Sequence, residues 1–169
     1  MTQAPHSRPD TIISHAEIME RIRLRPSPDH HREILEVWKI HSIAEDGRDI
    51  PGLLSTLTED CVYELVTTGN KWHGHTGAET FYTTLLAAFP DIKFHLTEIV
   101  IGPQGVWEEA FVIGTQREDW LDYPATGGLM EFRVSIFFPW DPVKRKFRGE
   151  IMYASPARAV VPAQAGARA

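Results

Sequence analysis

The residue whose type and position most clearly suggest chemistry in this chain is Glu150, which lies within the run 147–153. The apolar and aromatic residues of that run are typical of a buried β-strand. Burying a carboxylate costs free energy unless it is paired, so such a residue has either a partner or a catalytic task. Glu150 is therefore predicted to be a general base that faces an apolar pocket; the alternatives are that it pairs with Arg133 or Arg148 in a structural ion pair, or that it faces solvent.

Four other side chains could assist such a base. The phenol of Tyr63 could donate a hydrogen bond to a developing oxyanion, or Tyr63 could be an ordinary core residue. Arg133 lies in an alternating strand segment, and it faces either the pocket, where it would bind an oxyanion, or solvent. His75 could carry protons near neutral pH. Asp119 shares strand parity with Arg117, and the two form either a pocket rim or a surface ion pair.

A substrate pocket needs apolar and aromatic walls. The candidates for this wall are Trp72, Tyr82, Phe111, Trp120 and Met152. A metal site at His73 and His75 would need a further ligand that their spacing does not supply, so no metal is predicted.

Composition narrows the class of protein. The chain has 169 residues, enough for one domain with a hydrophobic core. Its 17 basic and 23 acidic side chains give a net charge of −6, which argues against non-specific nucleic-acid binding.

The single cysteine, Cys61, rules out an intrachain disulfide and fits a cytoplasmic location. No apolar run approaches the roughly 20 residues that span a bilayer, and no secretory signal is seen. Neither a P-loop nor a dinucleotide fingerprint occurs, so no cofactor is predicted.

The order of predicted elements indicates an α+β fold. Helical spacing and capping residues predict helices over 10–25, 29–46, 52–57 and 77–89. Alternation and turn residues predict strands over 61–66, 92–101, 106–117, 131–140 and 147–154. Helices followed by a run of strands favour a curved antiparallel sheet wrapped around the helices, with a pocket between them. The expected organisation is an N-terminal extension over 1–28, a barrel domain over 29–155 and a flexible tail over 156–169.

Several short strings, taken in order, resemble one known family. They are Trp72–Gly77, Phe81–Tyr82, Ala88–Asp91, Gly114–Thr115, Asp119–Trp120, Pro124–Gly127 and Phe137–Asp141. Together they are similar to the SnoaL-like polyketide cyclase branch of the nuclear transport factor 2-like superfamily. The resemblance implies a cone-shaped α+β barrel with a deep apolar pocket, a homodimer, and chemistry without a metal or organic cofactor. It does not imply one reaction, because this fold serves many.

The resemblance also implies a catalytic aspartate on the last strand, and the chain departs from the family there. The corresponding position carries Met152, whose thioether cannot transfer a proton. Glu150 lies two residues earlier, so it shares a face with Met152 in an extended strand. The hypothesis is therefore an acid/base group that has moved to Glu150.

The sequence thus favours a small cofactor-independent enzyme that performs acid/base chemistry on an apolar aromatic or polyketide-like molecule. The reaction would be aldol-type cyclisation, C–C bond cleavage, dehydration or isomerisation. Glu150 would be the base, and Tyr63, Arg133 or His75 would stabilise the oxyanion or return the proton. Two alternatives stay open: a carrier of hydrophobic ligands without turnover, and a limonene-type epoxide hydrolase built around Asp119 and its neighbouring arginine. At least two ionisable groups facing one cavity would favour an enzyme.

Overall fold

A computed structural model describes residues 13–160 of the chain. The helices are α1 (His15–Arg23), α2 (Pro28–Asp46), α3 (Ile50–Ser55) and α4 (Gly74–Ala88). The strands are β1 (Leu57–Leu65), β2 (Asn70–His73), β3 (Lys93–Gly102), β4 (Gly105–Thr115), β5 (Leu129–Asp141), β6 (Lys146–Ala154) and β7 (Arg158–Ala159). Ser14 caps α1 by accepting a hydrogen bond from the Glu17 amide, and the predicted cap, Asp10, lies outside the described residues.

The strands form one curved, open sheet in the order β2-β1-β6-β5-β4-β3, with β7 paired to β5. The predicted α+β fold, a curved sheet with helices, is confirmed. The sheet is mixed, however, because β1 and β6 pair in parallel whereas all other pairs are antiparallel. The long connection through α4 and four strands returns β6 beside β1 in the same direction. β7 lies inside the segment that was expected to be a flexible tail, and its two residues pair with Glu131 and Met130 of β5.

Helices α2, α3 and α4 pack on the concave face of the sheet and enclose the core. α4 lies against β1, and α2 lies against β3 and β4. On β4 every second side chain, such as Val106, Glu108 and Ala110, points inward, as strand geometry requires. On α2 the inward stripe contains Ile34 and His41, at helical spacing. No helix among residues 13–160 combines the length and apolarity that crossing a bilayer requires.

A bulge in β6 turns Glu150 into the core. Phe147, Glu150 and Met152 are all buried, although regular alternation would place Phe147 and Glu150 on opposite faces. Between them Gly149 has a φ of 114°, and the pairings of β6 with β1 and with β5 both shift register in this region. A bulge of this kind adds one residue to a strand and re-aims the side chains that follow it. It is the feature of the fold that orients the candidate base.

Candidate active site

Glu150 lies at the centre of the concave face, with 2% of its surface exposed. Its Oε1 accepts a hydrogen bond from the Tyr82 hydroxyl at 2.7 Å and lies 3.1 Å from Nε2 of His41. Tyr82 belongs to α4 and His41 to α2, so one strand and two helices hold this carboxylate in place. A buried network whose members satisfy one another fixes the orientation of each group.

The hydrogen bonds assign one shared proton to His41 and Glu150. The Thr56 hydroxyl donates to the Leu53 carbonyl at 2.6 Å, so its oxygen must accept a hydrogen bond from Nδ1 of His41, also 2.6 Å away. Nδ1 therefore carries a proton. The contact between His41 Nε2 and Glu150 Oε1 needs a second proton, because both atoms would otherwise be acceptors. The two residues are thus an imidazolium–carboxylate pair or an imidazole–carboxylic acid pair.

Two further carboxyl groups interact with Glu150. Burial, followed by the charges of Glu150 and Glu108, holds the pKa of Glu45 well above its ordinary value. Burial also raises the pKa of Glu108 to about 7, against the opposing hydrogen bond from Trp38 Nε1 at 2.9 Å and with a smaller contribution from Glu150. Buried carboxylates that repel one another do not all ionise near neutral pH. The cluster therefore contains protonated acids next to a potential base.

The raised pKa of Glu108 predicts a loss of stability with rising pH. An unfolded glutamate ionises near pH 4.5, whereas folded Glu108 ionises near 7, so the folded chain binds the extra proton between these values. The free energy of unfolding should fall through this window by about 3 kcal/mol at most. Glu108→Gln keeps an acceptor for Trp38 but cannot ionise, so this part of the fall should disappear. Urea denaturation across the pH range measures it.

The control for this prediction is Glu109→Gln, which changes the neighbouring glutamate on the outer face of β4. Its free energy of unfolding should depend on pH as that of the wild type does. If the free energy of unfolding falls with pH equally in the wild type and in Glu108→Gln, Glu108 is not the group responsible.

Two phenols complete the cluster. Burial, followed by the charge of Glu150, raises the pKa of both Tyr63 and Tyr82 well above the ordinary value, so both stay protonated donors. Tyr63 is the register partner of Glu150 on β1 and is fully buried. Its hydroxyl has no partner at hydrogen-bonding geometry among the described residues. A buried donor without a partner is costly, and this one lies beside the candidate base.

Two cavities lie beside the cluster and share part of their walls. The inner cavity has a volume of about 30 Å³ and is lined by Glu45, Glu150 and Met152, among apolar side chains. The aromatic pocket, of about 430 Å³, shares Trp120 and Phe132 with the inner cavity. None of the residues found to line the aromatic pocket, within the described part of the chain, is charged. An apolar chamber thus opens onto a narrow space that contains two carboxyl groups.

A third cavity, the outer pocket, lies on the other side of the cluster, between α2, α4 and β3. Its volume is about 410 Å³, and it shares Glu45 and Phe94 with the inner cavity. Tyr82 also lines the outer pocket, and exposed polar residues surround it. Glu45 is therefore common to the cavity of Glu150 and to a pocket that has charged residues among its walls.

The structure brings part of the predicted site together. The predicted residues in or beside the cavities are Glu150, Tyr63, Tyr82, Trp120 and Met152. Arg133 instead lies on the outer face of β5, with 66% of its side chain exposed, and pairs with Glu109 at 2.6 Å. Phe111 faces the same outer side, because odd-numbered residues of β4 point away from the helices. Arg133 therefore cannot bind an oxyanion in the cavity, and Phe111 does not line it.

Three other predicted residues lie away from the carboxylate cluster. Asp119 is exposed and accepts a hydrogen bond from the Ala125 amide at 2.7 Å, so it shapes the loop before β5. His75, in the first turn of α4, has its Nε2 3.3 Å from the Leu57 carbonyl. Trp72 packs edge-on against the Phe81 ring. Among residues 13–160 no three histidine, cysteine, aspartate or glutamate side chains are grouped so that they could hold a metal ion.

His41, Glu45 and Glu108 are site residues that the sequence reasoning missed as chemical groups. A signal was present on α2, where the apolar stripe that includes Trp38 and His41 continues at helical spacing to Glu45. Another was present on β4, where Glu108 occupies an inward position of the alternating pattern. A carboxylate in an apolar stripe is expected to be buried, and it should therefore have a partner or a catalytic task, as was argued for Glu150.

Comparison with known proteins agrees with this architecture. A family model, the SnoaL-like domain, matches residues 31–141. No curated protein sequence matches the chain. The structure of a protein named SnoaL-like polyketide cyclase, from Jannaschia sp. CCS1, is 15% identical, with a TM-score of 0.67 over 78% of this chain and 91% of that chain.

Two further structures, which carry different names, show the same fold. A protein with a ketosteroid isomerase-like fold from Catenulispora acidiphila DSM 44928, in complex with trimethylamine, is 13% identical, with a TM-score of 0.57 over 70% of this chain and 84% of that chain. An LEH-like epoxide hydrolase from M. tuberculosis is 15% identical, with a TM-score of 0.57 over 73% of this chain and 84% of that chain. At these identities the likeness shows the fold and not the reaction.

Proposed function

This chain belongs to the SnoaL-like domain family, and we propose that it is an enzyme that abstracts and returns protons on a neutral, apolar small molecule. The observation that carries the proposal is the inner cavity, which both Glu45 and Glu150 line. A carrier of hydrophobic ligands gains nothing from two buried carboxyl groups, because each one raises the free energy of the folded state. An acid/base enzyme needs groups of this kind next to the reacting carbon.

Glu150 is the base in this proposal. Tyr82 and His41 both contact its Oε1, which leaves Oε2 to accept a proton from a carbon next to a carbonyl group. As the C–H bond breaks, its electron pair moves to the carbonyl oxygen and an enolate forms. The free hydroxyl of Tyr63 would donate a hydrogen bond to that oxygen. The proton then returns to carbon in an isomerisation, or the enolate attacks a second carbonyl in an aldol-type cyclisation.

The cavities support a substrate with an aromatic body and a narrow reacting end. The aromatic pocket has space for a small ring system and offers no charged partner. The inner cavity, at about 30 Å³, admits only a few atoms, such as a methylene group beside a ketone. Two carboxyl groups there would repel an anion, which favours a neutral substrate. The homodimer and the cytoplasmic location expected from the sequence stay predictions.

The epoxide hydrolase alternative receives less support. That reading requires Arg117 and Asp119 to meet an inward carboxylate, but both are exposed and Asp119 is bonded to a loop amide. The carrier alternative is tested by measuring turnover, which an enzyme shows and a carrier does not.

Tyr63→Phe should slow proton abstraction by about 100-fold, because it removes the donor that would stabilise the enolate. Its effect on folding should be small, since the hydroxyl has no partner in the protein itself. Proton NMR in D₂O can follow the exchange of deuterium into acetophenone and 1-tetralone at the carbon next to the carbonyl. Thermal unfolding of the same samples reports stability.

Tyr153→Phe is the matched control, since it makes the same change on the exposed side of β6. The exchange rate of this variant should equal that of the wild type. If the wild-type chain binds these ketones but does not accelerate exchange, the carrier reading replaces the enzyme. If Tyr63→Phe exchanges at the wild-type rate, Tyr63 is not the oxyanion donor.

A further inference from the structure

Glu45 and Tyr82 lie between the outer pocket and the candidate base. Glu45 lines both the outer pocket and the inner cavity, and part of it stays exposed. Tyr82 lines the outer pocket, while its hydroxyl donates to Oε1 of Glu150 at 2.7 Å. Tyr82 also lies close enough to Glu45 to lower the pKa of its carboxyl group, against the larger effects of burial and of the charges of Glu150 and Glu108. The exposed polar residues around this pocket are Asp46, Arg48, Asp91, Lys93 and His95.

The opposite approach to Glu150 is apolar. It runs through the inner cavity and the aromatic pocket, whose shared walls include Leu65, Trp120 and Phe132. A substrate that fills the aromatic pocket would close this approach to water. Glu150, at 2% exposure, would then exchange protons with solvent only on the side of α2 and α4.

We propose that Glu45 and Tyr82 form a proton relay that connects Glu150 with water in the outer pocket. The use of the relay in turnover rests on the proposed function, but its existence does not. Both residues act through Glu150, and neither needs to touch the substrate. The site would thus have separate routes for its two reactants: an apolar route for the organic substrate and a polar route for protons.

Each relay step conserves protons and charge. The proton that His41 Nε2 and Glu150 Oε1 share moves to the Tyr82 oxygen as the phenolic proton moves to the Glu45 carboxylate, and Glu45 then releases a proton to water. Tyr82 is a neutral phenol before and after the transfer, and the reverse sequence reloads Glu150. Burial, followed by the charge of Glu150, raises the pKa of Glu45, so this carboxyl group holds a proton more strongly than an exposed glutamate does.

The relay can be measured without a substrate, through the proton that His41 Nε2 shares with Glu150. In the full-length chain labelled with ¹⁵N-histidine, NMR gives the rate at which this proton exchanges with water. Glu45→Gln should slow the exchange at least about 10-fold, and Glu45→Asp should restore most of the rate. Glu36→Gln, on the exposed side of the same helix, should leave it unchanged.

The direction of the change separates a relay from a structural role. A variant that only loosened the fold would open the site and speed the exchange. Unchanged or faster exchange in a folded Glu45→Gln protein would therefore overturn the relay. If that variant does not fold, Tyr82→Phe interrupts the same path at its middle, and it must slow the exchange for the relay to stand. The NMR measurement does not involve turnover. Full activity in Glu150→Gln would therefore contradict the proposed function without changing the exchange result for the relay.

Discussion

Replacing Glu150 with glutamine should lower the rate of deuterium exchange into ketone substrates by about 1,000-fold and leave the fold intact. The amide cannot accept the substrate proton, but its oxygen can still accept the hydrogen bond from Tyr82. The change also removes one of the carboxyl groups that raise the pKa of Glu45 and Glu108. The free energy gained from relief of that repulsion offsets part of the free energy lost with the His41 contact. Exchange rates by NMR and unfolding curves measured on the same protein test both halves of this expectation.

Glu109→Gln is the control, because it removes a carboxylate of β4 on the outer face of the sheet, where it pairs with Arg133. Its exchange rate should match the wild type. A folded Glu150→Gln protein with wild-type turnover would remove Glu150 from the mechanism, and with it the enzymatic proposal in its present form. A passive binding function would then fit the pocket better.

Gly149→Ala should destabilise the protein by about 4 kcal/mol or more, a large part of the stability of an ordinary domain. The φ of Gly149 is 114°, a region that residues with a side chain rarely adopt. A Cβ atom there would lie 2.0 Å from the carbonyl oxygen of Val62, so β1 and β6 would have to separate. The same two strands carry Tyr63 and Glu150 as register partners, and a protein that still folds should therefore lose activity as well. Urea denaturation monitored by circular dichroism measures the first effect.

Gly102→Ala gives the matched comparison, because a Cβ at this glycine would meet nothing within 4 Å. Its effect should stay within about 0.5 kcal/mol. Equal stabilities for the two alanine variants would show that the bulge is not required by the fold. The orientation of Glu150 would then need another explanation.

Local patterns were sufficient to predict most of the elements. The predicted helix over 29–46 corresponds to α2, where Ser27 provides the cap and Pro28 begins the helix. The three long strands that follow Pro90 were predicted from their alternation and turn residues, and β3, β4 and β5 occupy those regions. Such signals are local because capping and strand periodicity depend only on neighbours in the chain. Only long-range contacts create the parallel pairing of β1 with β6, so the sequence did not reveal it.

The candidate site was predictable only in part, because strand alternation does not show which of two faces is buried. Glu150 was chosen as the inward base from its residue type and the family resemblance, and Tyr63 because a phenol buries well; the two lie together in the core. Neither argument could choose a side for Arg133, whose strand alternates between two faces. The structure places it outside, paired with Glu109.

By itself the sequence determined the α+β class, the family, and the presence of a carboxylate in the middle of a buried strand. Only the tertiary structure decided what surrounds that carboxylate. His41, Glu45 and Glu108 come from α2 and β4, which are far from Glu150 along the chain, and the pKa shifts of Glu45 and Glu108 arise from burial and from charges that folding brings together. Periodicity reports the face of one element, whereas proton affinity depends on every charge that the folded chain places nearby.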